Sequence, residues 1–63
     1  LAAYRALVAQ AESRAKSGGH LVLELGFGQF EAVSELLDTA RWSHVSATMD
    51  LAGIPRVLAA RRD

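Results

Sequence analysis

A chain of 63 residues in which seven acidic side chains balance seven basic ones has no bulk charge to draw it to nucleic acid or an anionic membrane. It contains no cysteine, which excludes a disulfide framework and a thiolate metal site and fits a cytoplasmic protein. No run approaches the roughly 18 apolar residues of a membrane-spanning helix, and His20 and His44 lie far apart without ligand-like spacing.

The N-terminal segment reads as an amphipathic helix. Tyr4, Leu7, Val8, Ala11 and Ala15 follow the spacing of one helical face, and abundant alanine favours the helix intrinsically. Lys16 suits the negative end of the helix dipole, and Gly18-Gly19 tolerates the left-handed backbone of a C-terminal cap, so the helix is expected to stop near Lys16. His20 to Leu25 is apolar apart from Glu24 and too short for a helix, which predicts a strand covered on both faces, as in a parallel sheet. Gln29 to Ala40 turns helical again, with Phe30, Val33, Leu37 and Ala40 on one face. Val45, Ala47 and Met49 alternate with Ser46 and Thr48, which is strand periodicity. Gly53 and Pro55 break the pattern, and Arg56 to Arg61 forms a last strand.

The predicted fold class is therefore α/β, in the order helix, strand, helix, strand, strand. The two strands joined through a helix are expected to run parallel, and the last two, joined by a short loop, antiparallel. The returning strand Arg56–Arg61 is expected to insert between Leu21–Leu25 and Val45–Met49. Each helix should cover a sheet face. Two features point to a piece of a larger domain: the chain begins with Leu1, and 51% of its residues are apolar. A chain this short buries only about 60% of its unfolded surface, so that much apolar surface is hard to hide alone.

The stretch "LVLELGFGQF" carries the most specific chemistry. A dinucleotide fingerprint needs three glycines, and Gly26 and Gly28 supply two, with Glu31 at the third position. An acidic residue followed by G-x-G-x-G, the S-adenosylmethionine version, matches at Glu24, Gly26 and Gly28 but has Phe30 in place of its last glycine. A bulky residue there opposes close backbone approach to a ligand. Asp50, at the end of the next strand, stands where a ribose-binding carboxylate would be expected. Spacing alone thus leaves open a cofactor loop formed by Glu24, Gly26, Gly28 and Asp50, a purely structural turn, or a non-catalytic interaction module with a pairing sheet edge.

The wider pattern narrows the choice. Gly18-Gly19, Glu24-Leu25-Gly26, Gln29, Ala32-Val33, Leu36-Leu37, Asp50-Leu51-Ala52-Gly53 and Arg56-Val57 occur in this order. Together they resemble the C-terminal end of the release factor glutamine methyltransferases, the HemK/PrmC family. "DLAG" followed by "RV" is the most specific part. Arg41 stands where that family often has glycine, while Trp42 keeps the aromatic that follows.

The resemblance implies that residues 1–63 are the C-terminal segment of one class I, Rossmann-like methyltransferase domain. "LVLEL" would be its fifth strand, and the last two strands the edge hairpin. It further implies transfer of a methyl group from S-adenosylmethionine to the glutamine side-chain amide of the Gly-Gly-Gln motif of peptide chain release factors. The cofactor glycines and the Asn-Pro-Pro-Tyr motif that holds the amide would lie upstream, so no catalytic residue and no metal ligand is expected here. Gly26, Gly28, Asp50, Gly53 and Arg56 then read as structural, with Asp50 and Arg56 an ion pair or turn clasp. Glu24 and Gln29 are the substrate-side candidates, Glu24 as a buried carboxylate bonded to the adjacent turn or facing substrate. The chain by itself is expected to self-associate and to bind cofactor negligibly.

Overall fold

The computed structural model describes residues 1–63, with five elements: α1 (Ala2–Arg14), β1 (His20–Glu24), α2 (Phe30–Ser34), β2 (Trp42–Met49) and β3 (Pro55–Arg62). The strands make one sheet in the order β1-β3-β2. β3 is antiparallel to both neighbours, so β1 and β2 run parallel to each other across it. Leu23 sits opposite Leu58, which sits opposite Ala47 on the far side.

One apolar cluster joins Val8 of α1 and Val33 of α2 with Leu23, Leu25, Leu37, Trp42, Leu58 and Ala60. Leu23 and Leu58 are register partners, so both helices pack on the same sheet face. The opposite face, carrying Val22, Glu24, Val57 and Ala59, has no covering layer. Val22 is 64% exposed. The apolar run of β1 therefore does not mark a strand buried on both sides within this chain. Only alternate residues of the run are covered, as the pleat requires.

Both helices are shorter than their patterns imply. α1 ends at Arg14 because Ala15 turns extended, its amide still bonded to the Ala11 carbonyl at 2.8 Å. Leu7, placed by periodicity on the core face, is about half exposed. α2 spans only Phe30–Ser34, not Gln29–Ala40. After it the amides of Leu36 and Leu37 bond to Val33 and Ser34, three residues back. Asp38 then ends the helical path: its carboxylate accepts the Ala40 amide at 2.9 Å, and its carbonyl accepts those of Arg41 and Trp42. Such side-chain competition for backbone amides is why aspartate favours turns.

β2 begins at Trp42, three residues earlier than the alternation indicates. Its register shifts between Ser43 and Ser46, with His44 at φ +53°. That bulge hides the early part of the strand from a period-two pattern. Gly18 and Gly19 extend the pairing of β3, the Gly18 amide donating to the Arg62 carbonyl and the Arg62 amide to that of Gly19, both at 2.7 Å.

Candidate functional site at the carboxyl edge of the sheet

The carboxyl ends of β1 and β2 lead into the two turns that the sequence marks as chemically distinctive. At the first, the Gln29 amide donates to the Gly26 carbonyl at 3.2 Å. Gly28 has φ +71°, a conformation that a side chain disfavours, although a β-carbon there would meet nothing within 4 Å. Gly26 is packed more closely, since its missing β-carbon would lie 3.4 Å from Gln29 Cγ. Phe30 begins α2 and packs against the core.

Tyr4 ties this turn to α1. Its hydroxyl donates to the Glu24 carbonyl at 3.1 Å and accepts the Gly26 amide at 3.2 Å. The helical pattern identifies Tyr4 only as a core-facing residue, and nothing in the sequence spacing couples it to the glycine turn across 22 residues. Glu24 itself differs from expectation. Its side chain is exposed on the uncovered sheet face, with no hydrogen bond or ion pair, because strand alternation turns Leu23 and Leu25 inward and Glu24 out. The adjacent turn is held through the Glu24 backbone, not through its carboxylate. Gln29 is half-buried beside Gly26.

The second turn is organised by Asp50. One carboxylate oxygen accepts the amides of Ala52 and Ile54 at 2.9 and 3.0 Å, and the other lies 2.9 Å from Arg56 Nε. The Ile54 amide, followed by the Arg56 guanidinium, holds the carboxyl below the usual aspartate value. Gly53 closes the turn at φ +80°, its amide bonded to the Asp50 carbonyl. Asp50 is thus engaged with its own hairpin.

Between the turns lies a cleft of about 230 Å³ lined by Gly28, Phe30, Glu31 and Pro55. Small-molecule sites usually span about 300 to 1,000 Å³. Phe30 occupies the position of the third glycine, and Asp50 is committed to its hairpin through Ala52, Ile54 and Arg56. No three His, Asp or Glu side chains are grouped to hold a metal ion, and no helix is long and apolar enough to cross a membrane.

The opposite edge holds a serine, a histidine and an aspartate together, but not as a nucleophilic relay. The Ser43 hydroxyl donates to Asp63 at 2.6 Å and lies 3.0 Å from His44 Nδ1. The serine bridges the other two, whereas activation requires the imidazole between serine and carboxylate. Nearby, Arg62 lies over the Trp42 ring, 6.0 Å from its centre, and the indole donates to Glu12 at 3.4 Å. Trp42 is core, and His20 and His44 are exposed.

No family model and no solved structure matches the chain. Curated relatives do. The release factor glutamine methyltransferase of Cereibacter sphaeroides is 41% identical over 61 residues, covering 97% of this chain and 22% of the relative. That of Bradyrhizobium diazoefficiens is 44% identical over 61 residues, covering 95% and 20%. The Coxiella burnetii enzyme of the same name is 34% identical over 62 residues, covering 98% and 22%. The chain spans about a fifth of the length of these relatives. Over nearly its whole length, then, the chain is similar to one stretch of the release factor glutamine methyltransferases.

Proposed function

We propose that the chain is the C-terminal scaffold of a methyltransferase domain acting on the glutamine amide of the Gly-Gly-Gln motif of peptide chain release factors. The observation that carries this is the 34–44% identity to enzymes of that name along almost all of the chain. Within the domain, β1 takes the place of the fifth strand of a Rossmann-like sheet, and β2 with β3 forms its edge hairpin. The methyl group comes from S-adenosylmethionine, bound by the upstream part of the domain. A cytoplasmic setting follows from a translation factor as substrate.

A neutral amide is a poor nucleophile, and no side chain at either turn is held in a geometry that marks it as the base. Positioning must then do much of the work. The contribution of these residues is a rigid edge: Tyr4 and Asp50 each fix one turn, and Glu24 and Gln29 stand on the substrate side of the first. The test is to express the protein from its complete reading frame, incubate it with a release factor and S-adenosylmethionine, and map methyl groups by mass spectrometry. One added methyl on the motif glutamine supports the reading. A folded, cofactor-binding protein that leaves that glutamine unmodified refutes it.

A further inference from the structure

Each turn at the carboxyl edge carries an apolar side chain at its tip. Phe27 is 75% exposed and Leu51 fully exposed. Neither sits on a loose loop. The Phe27 turn is pinned by the Tyr4 hydroxyl and closed by the Gly26–Gln29 hydrogen bond. The Leu51 turn is pinned by three contacts to the Asp50 carboxylate. An apolar side chain held this way is presented in one place, with little backbone freedom left to lose on binding. β1 and β2 flank β3, so their ends lie about 10 Å apart by strand spacing.

Charge supplies the second half of the pattern. Glu31 lines the cleft between the turns and Glu24 precedes the first. Both are exposed, and neither carboxylate has a hydrogen-bond or ion-pair partner. Arg56, the cation of the second turn, is occupied by Asp50. An edge with two bare apolar tips and two uncompensated carboxylates is complementary to a basic surface and repels an acidic one. The tips stand outside the cleft and can be covered together by an extended protein surface.

We propose that this edge docks the protein substrate, engaging a segment that presents an apolar side chain beside a lysine or arginine. The proposal rests on the functional reading above, and binding without turnover separates the two. The protein expressed from its complete reading frame is titrated with a fluorescein-labelled release factor, with Phe27→Ser, Leu51→Ser and Glu31→Gln compared by anisotropy and by melting temperature. Each apolar variant should weaken Kd about five- to tenfold, with melting unchanged. Glu31→Gln should weaken it about two- to threefold at low salt and not at high salt. Kd values for both apolar variants within about twofold of the unsubstituted protein would overturn the proposal. So would a lowered melting temperature at constant Kd, since other parts of the enzyme would then cover the tips. Methylation by the unsubstituted protein is scored separately and decides only the functional reading.

Discussion

Replacing Tyr4 by phenylalanine removes one oxygen and keeps the ring that packs on the core. That oxygen makes two hydrogen bonds, one to the Glu24 carbonyl and one from the Gly26 amide. Each such bond contributes about 0.5 to 1.5 kcal/mol net. Both are exposed, so water can replace part of what is lost, and the combined cost should be about 1 kcal/mol. That corresponds to about a fivefold increase in local opening of the turn. Amide hydrogen exchange in the protein from its complete reading frame reads this directly. The Gly26 amide should exchange about fivefold faster, while the central β3 amides of Leu58 and Ala60 keep their rates. Equal acceleration throughout the sheet would make Tyr4 a general core residue, and no acceleration would deny the clasp.

In Gly28→Ala, the left-handed backbone should cost about 1 to 2 kcal/mol, and melting should fall while calorimetric affinity for S-adenosylmethionine holds; lost affinity at unchanged melting would contradict the structural assignment. Asp50 has a lowered folded pKa, so its stabilisation is present above the unfolded pKa and lost as pH falls through the folded one. The unsubstituted protein should therefore melt above Asp50→Asn near neutral pH, and the two should converge on acidification below the ordinary aspartate range; a constant gap would assign the effect to shape instead of charge. The 63-residue chain alone, with only eight buried residues and a free β1 edge, should aggregate, dimerise or partly unfold in light scattering and circular dichroism. A monomer with a cooperative melt that binds S-adenosylmethionine would show a complete module.

The strands were legible because their signals are local. Ser46 and Thr48 alternate with apolar neighbours, and Gly53 and Pro55 punctuate the hairpin. The element order follows from that punctuation, and the Asp50–Arg56 contact from two opposite charges across one short turn. What was less legible depends on tertiary context. The apolar run of β1 cannot tell one covered face from two, because covering depends on which elements pack over the sheet, and none here packs over Val22. Glu24 looks buried by its neighbours' composition, yet the pleat turns it outward. Leu36 and Leu37 continue the helical pattern of α2, but their amides bond only three residues back, and beyond them the Asp38 carboxylate takes the Ala40 amide. Tyr4 is ambiguous in principle, since its ring serves the core while its hydroxyl serves a turn 20 residues away.

The most direct test exchanges the segment. The 61 residues of the Cereibacter sphaeroides release factor glutamine methyltransferase that match this chain would be replaced by their counterparts here. Methylation of a release factor glutamine would then be quantified by mass spectrometry. A scaffold that also docks substrate should give a chimera that retains the parent's glutamine specificity, at a rate within about tenfold of the parent, a difference of about 1.4 kcal/mol. A chimera that folds and binds S-adenosylmethionine as the parent does, yet leaves the glutamine unmodified, would contradict the assignment of this chain to that enzyme.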